Sequence, residues 1–264
     1  MKIGCIPICF LPDLSAGRME FADWLAMAVR CRLEGIELYD GYVKDWSRRG
    51  LEAMARQVRE SGLGVSMFTG YGDFGDPAEE AAARAAAEVR RNVEAAAVFG
   101  TNIVRVVAGR WHSGVARDAA LGAAGDGLRR CLDHAEAHGV TLALENHPEI
   151  GTASADFLRL LELVDDPRLG VNLDTSNCMC SGESGSDLVQ HIAGRVVHVH
   201  CSDRSADLEH QVVGEGVVDF PAIFRTLRGV GFDGWLSLEA GGEKGEEGIR
   251  QGRAYVLETW ASAR

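Results

Sequence analysis

Short apolar runs alternate with longer amphipathic ones along the whole chain. Eight stretches read as β-strands: "KIGCIPI", "GIELY", "GVSMFTG", "NIVRVVAG", "VTLALENH", "LGVNLDTS", "VVHVHCSD" and "GWLSLEAG". Each is rich in Val, Ile and Leu and is bounded by Gly, Pro or polar residues. Their C-terminal ends fall near residues 8, 39, 70, 109, 147, 176, 202 and 240. That spacing, roughly 24 to 39 residues, is about one strand–helix unit. Between them lie Ala/Arg/Glu/Leu-rich stretches with helical patterning, such as 77–99 and 118–138. Asp76 and Pro77 predict an N-cap and a first helical residue. Gly100 and Gly139 predict helix ends.

Strands that alternate with helices predict a parallel sheet. Eight such units in succession predict a closed (β/α)₈ barrel, an α/β fold running as one domain over 1–264. No Gly-x-Gly-x-x-Gly follows the first strand, which weighs against a dinucleotide-binding sheet. No linker or low-complexity block breaks the pattern.

Composition narrows the function classes. Of 264 residues, 46% are hydrophobic, enough for a large core, and the formal net charge is −12. An acidic surface repels phosphodiester backbones, so nucleic acid is not the expected partner. No apolar run is long enough for a transmembrane helix, and "MKIGCIPICF" lacks the parts of a signal peptide, so no membrane association is expected. Seven cysteines, an odd number without a Cys-x-x-Cys pair, predict reduced thiols and a cytoplasmic protein. Cys178-x-Cys180 alone is a weak metal or redox signal.

In a (β/α)₈ barrel the active site lies at the C-terminal ends of the strands. The last four strands end in Glu145, Asp174, His200 and Glu239. Taken singly, each has an ordinary reading: Asp174 as a turn cap, Glu239 as a solvated loop residue. His198 shares a strand face with His200 and is assigned to the core, being deeper in the strand. Jointly, three carboxylates and an imidazole directed into one mouth predict a divalent-cation site. Oxygen donors with one nitrogen favour Mn²⁺ or Mg²⁺, with Co²⁺, Zn²⁺ and Fe²⁺ compatible.

The pieces "ALENHP", "GVNLDTSN", "HVHCSD" and "GEGVVDFPAIFRTLRGVGFDGWLSLE" resemble the xylose-isomerase-like TIM-barrel family of sugar isomerases and epimerases. Ketose 3-epimerases, hydroxypyruvate isomerases, keto-inositol dehydratases and abasic-site endonucleases are among its members. The resemblance covers nearly the whole chain. It implies the same four metal ligands, and implies that Glu145 and Glu239 act as acid/base groups on a small-molecule sugar. It also implies a homo-oligomer, since members are often dimers or tetramers. Two positions depart from it. Ketose epimerases usually read Asp-x-x-His after the sixth strand, where this chain has Asp174-Thr-Ser-Asn177. Many relatives read His-x-Lys-Asp after the seventh, where this chain has His200-Cys-Ser-Asp203.

The chemistry expected is proton abstraction beside a carbonyl, giving an enediolate that is reprotonated at another carbon or face. A lyase or dehydratase using the same first step is the alternative, and a non-catalytic sugar-binding barrel a further one. A nuclease would need several more histidines at earlier strand ends, where only His112 occurs, together with a basic groove. Candidate substrate contacts are His147, Asn177, Arg204, Glu37 and Trp111, with Tyr71, Phe68 and Arg110 as loop residues. Each is also compatible with packing, capping or a salt bridge. Gly214 and Gly216 in "VGEGVVDF" could cradle a phosphate, but Glu215 between them favours an unphosphorylated polyol or keto-sugar.

Overall fold

The structure is a computed structural model and describes residues 1–240 and 244–263. Gly241, the last residue of the eighth expected strand, lies outside them. In chain order the elements are β1 (Lys2–Ile6), α1 (Leu11–Ala16), α2 (Phe21–Arg30), β2 (Gly35–Tyr39), α3 (Arg48–Glu60), β3 (Gly64–Thr69) and α4 (Glu79–Phe99). Then follow β4 (Ile103–Val106), α5 (Arg117–Ala137), β5 (Thr141–Glu145), α6 (Ser154–Val164), β6 (Gly170–Asp174), α7 (Gly185–Ile192) and β7 (Val196–Cys201). The chain continues through β8 (Asp203–Arg204), β9 (His210–Gln211), α8 (Phe220–Gly229), β10 (Trp235–Glu239) and α9 (Gly245–Ser262).

Eight strands form one parallel sheet in the order β1-β10-β7-β6-β5-β4-β3-β2. The barrel is nearly closed. At the seam, Glu34 N–H donates to the Ile3 carbonyl at 3.0 Å, and Ile3 N–H donates to the Glu34 carboxylate at 2.7 Å. The fold is the predicted TIM barrel, with a helix after each strand. β8 and β9 form a small antiparallel ribbon inserted between β7 and α8.

Strand periodicity explains the layers. On the outward parity, Ile36, Leu38, Val104, Leu142, Leu144, Leu173, Val199 and Leu236 are fully buried in the layer beneath the helices. The inward parity holds Met67 and Ala143, but also Glu37, Arg105, Glu145, Asn172, Asp174, His198 and His200, all buried. A barrel lumen is ordinarily filled by branched apolar side chains. Charge there must be paired or bind something.

Two expectations change. The helix expected over 77–99 begins at Glu79, because the Asp76 carboxylate accepts the Ala78 N–H at 2.9 Å and holds Ala78 extended. Its end at Gly100, in the left-handed region, is as expected. Phe68 is not a loop residue. It lies on β3 facing outward, against Trp46 and Phe99, and is fully buried. No helix among the described residues is long and apolar enough to cross a membrane.

Candidate metal and catalytic site

Glu145, Asp174, His200 and Glu239 end neighbouring strands, and their ligand atoms all lie within 4.8 Å of one another. The first three are buried and Glu239 keeps slight solvent access. His200 is gripped from both sides. Its Nε2 donates to Glu37 Oε2 at 3.0 Å, and its Nδ1 donates to Glu145 Oε1 at 2.6 Å and stands 3.8 Å from Glu239. Burial opposes a charge on this imidazole, but Glu37 and Glu145 win and raise its pKa well above the usual value.

Glu37 therefore stands behind His200, on the side away from the other carboxylates. Thr69 Oγ1 donates to it at 2.9 Å, and burial is outweighed by His200 and His198, which hold it down to about 2. It is fully buried and supports the His200 imidazole from that side. His198 is fully buried, donating from Nδ1 to Asn172 Oδ1 at 2.8 Å. Burial pushes its pKa down to about 4. Glu37, His198 and His200 form a second group of cation donors, but it carries one carboxylate where the first carries three.

Both oxygens of Glu145 are engaged. Arg105 donates to Oε2 at 2.9 Å, while Asn172 Nδ2 donates to Oε1 at 3.2 Å. Burial would raise this carboxyl, but Arg105 and then His200 hold it well below the usual range. Asp174 is treated in the opposite way. Its Oδ1 accepts Asn177 N–H at 2.7 Å and Ser176 N–H at 2.8 Å, whereas Oδ2 is buried without a partner. Burial, with Glu239 and Glu145 beside it, pushes its pKa well up. An orphaned buried carboxylate oxygen facing two more carboxylates is the donor set a divalent cation fits.

Asn146 fixes the spacing of the first two donors. Its amide donates to the Asp174 carbonyl at 2.9 Å and its Oδ1 accepts the Asp174 N–H at 2.8 Å, extending the β5–β6 ladder with a side chain. Sequence reasoning passed over Asn146, Asn172 and Arg105. The signal for Arg105 was present: a lone guanidinium in "NIVRVVAG", on the parity that faces inward.

The remaining candidates divide. His147 is mostly buried beside Glu145, with its ring edge-on to Tyr71 at 5.4 Å. Burial lowers its pKa. Asn177 and Arg204 hold each other: Arg204 donates to Asn177 Oδ1 at 3.3 Å, to Ser176 Oγ at 3.2 Å and to the Leu208 carbonyl at 2.8 Å. They brace the loop that carries Asp174. Trp111 is tied away from the cluster, its N–H donating to Glu149 and its ring under Arg117 at 5.0 Å. Neither Cys178 nor Cys180 joins a group of cation donors among the described residues, and all seven cysteines are unpaired.

The glycine turn is already filled by a carboxylate of the chain itself. Asp203 accepts N–H bonds from Gly214 and Gly216 at 2.9 Å, Arg204 at 3.0 Å and Val218 at 3.2 Å. Asp203→Ala strands four amides around a buried site, and a charged hydrogen bond is worth about 1.5–3 kcal/mol. A fall in melting temperature of more than about 6 °C is expected by calorimetry, at about 2–4 °C per kcal/mol.

A cleft of about 510 Å³ opens beside the cluster; its lining includes His147 and Tyr71 but none of the four ligand residues. A groove of about 540 Å³ lies elsewhere, between Leu51 of α3, Arg91 and Val98 of α4, and His138. Though larger, it sits on the helix layer with no strand-end residue, so size does not mark the site here.

Fold and cluster together define a (β/α)₈ barrel with three carboxylates and an imidazole gathered at its C-terminal rim. The chain belongs to the xylose isomerase-like TIM barrel family, which matches residues 25–259. It is 28% identical over 133 residues to inosose dehydratase of Lacticaseibacillus casei, a match covering 43% of this chain and 45% of that protein. The first curated relatives it matches are spanned over less than half their length, 41% to 45%. It is 27% identical to L-ribulose-5-phosphate 3-epimerase UlaE of Salmonella paratyphi C, over 83% of this chain and 80% of that one. Among solved structures, the IOLI protein with a bound zinc atom superposes with a TM-score of 0.81 at 18% identity, over 100% of this chain and 99% of that one.

Proposed function

We propose that this protein is a divalent-cation-dependent isomerase or epimerase of a keto-sugar or polyol-derived ketone. The observation that carries the reading is the convergence of three carboxylates and one imidazole, with Asp174 Oδ2 buried and unpartnered. Glu145, Asp174, His200 and Glu239 would hold the cation, Mn²⁺ or Mg²⁺ first, with the zinc-bound neighbour in favour of a borderline ion as well. When bound, it supplies stabilisation of the negative charge that develops on a carbonyl oxygen.

The chain's own residues do the rest. Glu239, with no hydrogen-bond donor on its carboxylate among the described residues, takes the proton from the carbon beside the carbonyl. Glu145, fixed by Arg105, holds position and serves as its acid/base counterpart across the site. His147 contacts a substrate hydroxyl. The substrate is unphosphorylated, since the turn suited to phosphate already holds Asp203. The unpaired cysteines favour a reducing, cytoplasmic setting.

Loss of water from a keto-sugar begins with the same proton abstraction, and the inosose dehydratase relatives favour that second reading. Incubation with Mn²⁺ and a panel of ketoses and keto-inositols in D₂O separates the two. The expected product has unchanged heavy-atom composition and carries deuterium beside the carbonyl. A product lighter by one water selects the dehydratase. No exchange with any substrate, in protein shown to hold its cation, rules out both.

A further inference from the structure

We infer that the cleft running from His147 past Tyr71 to Arg110 is a subsite for a second sugar ring, so that the substrate is a keto-sugar bearing a glycosidic substituent. The inference rests on the keto-sugar reading and carries it outward from the cluster. The cleft measures about 510 Å³, and its walls include Tyr71, Asp73, Glu88, Arg110, His147 and Glu149. Pockets of about 300–1,000 Å³ take drug-sized ligands, a range that includes a disaccharide. A keto-hexose anchored at the cluster through His147 leaves most of this space unfilled.

The lining chemistry selects a neutral polyol. Asp73, Glu88 and Glu149 repel an anion but accept hydrogen bonds from hydroxyls, and Arg110 donates to them. Tyr71 stays 42% exposed. Its ring is held by the Arg105 guanidinium at 4.2 Å and by the edges of Tyr39 at 5.9 Å and His147 at 5.4 Å. Arg105 lies over the ring, and the remaining exposure is what a platform for the apolar face of a sugar offers.

The walls are also set in advance. Asp73 sews the β3–α4 loop to the β4–α5 loop: Oδ1 accepts Arg110 N–H at 3.0 Å and Gly75 N–H at 3.2 Å, and Oδ2 accepts Arg110 Nε at 3.2 Å. Gly109 takes a φ of 113°, and a Cβ there would strike that carboxylate. Glu149 has a φ of 73°, unfavourable for a side-chain-bearing residue, and its carboxylate accepts Trp111 N–H at 3.0 Å. Strained backbone held in this way clusters at ligand clamps.

The test is calorimetric titration of the Mn²⁺-loaded protein with fructose and with turanose, lactulose and isomaltulose, three disaccharides that each contain a fructose unit. At least one disaccharide should bind ten-fold or more tightly than fructose. Tyr71→Ala and Arg110→Ala should bring that ratio towards one. Both side chains are well exposed, so the variants are expected to fold, which circular dichroism checks. Equal affinity for all four sugars, no binding of any, or a preference that survives both substitutions overturns the subsite. A failure of the keto-sugar reading shows separately, as absence of deuterium exchange while the disaccharide preference persists.

Discussion

Glu239→Gln should lower turnover by about 10²–10⁴, the range for a general acid/base group, while the melting temperature stays near that of the unchanged protein. Glutamine keeps the size and one oxygen donor but cannot take a proton. The side chain is 13% exposed, and its nearest cationic atom, His200 Nδ1, is 3.8 Å away, so little packing depends on its charge. Glu145→Gln should also cost about 10² in turnover. It should in addition destabilise the fold, because Arg105 is then buried without its counter-ion. Breaking a buried ion pair from one side costs about 3–5 kcal/mol. The two glutamates are thus separated by calorimetry even where kinetics treats them alike. Full activity in either variant, with the cation confirmed by elemental analysis, removes that glutamate from the chemistry and moves the base to His147.

Protein prepared without chelator should carry about one divalent ion per chain, and Asp174→Asn should lose most of it. The same substitution should raise the melting temperature of the cation-free protein. Asparagine keeps the oxygen that accepts from Ser176 and Asn177, and it replaces the orphaned Oδ2 with a donor facing Glu145 and Glu239. A neutral amide there removes the repulsion from Glu239 and Glu145 that works against a charged Asp174. Added Mn²⁺ should stabilise the unchanged protein by about 2.7 kcal/mol at a hundred times its dissociation constant and leave the variant unmoved. His200→Ala should lose the ion and His198→Ala should retain it. Loss of the ion in both variants places the cation in the Glu37–His198–His200 group instead.

The barrel was legible because eight apolar runs recur at the spacing of a strand and its return helix. The four donors were legible because each closes such a run, and a carboxylate there has few ordinary explanations when three others match it. Parity alone puts Glu37 on the open mouth, since it fixes the face of a strand residue but not its depth. The structure sets it behind His200, bonded to the imidazole Nε2 at 3.0 Å. Arg204 and Trp111 were assigned by residue type, yet their partners, Asn177 and Ser176 for one, Arg117 and Glu149 for the other, come from other loops. Distant loop pairings leave no mark in local pattern. Arg105 and Asn172 escape a reading of strand ends, because the residues that tune those ends stand two positions further in.

Asp203 joins the end of β7 to both sides of the ribbon that follows it. The carboxylate anchors Arg204 on the outgoing limb and Gly214, Gly216 and Val218 on the returning one. The stretch 205–213 is therefore a loop clamped at its base to the same strand that carries His200. A segment so mounted is tethered at both ends to one carboxylate, and its Leu208 carbonyl also holds Arg204, which reaches Ser176 and Asn177 beside Asp174. A change at Asp203 therefore frees both limbs together and is felt at two strand ends at once.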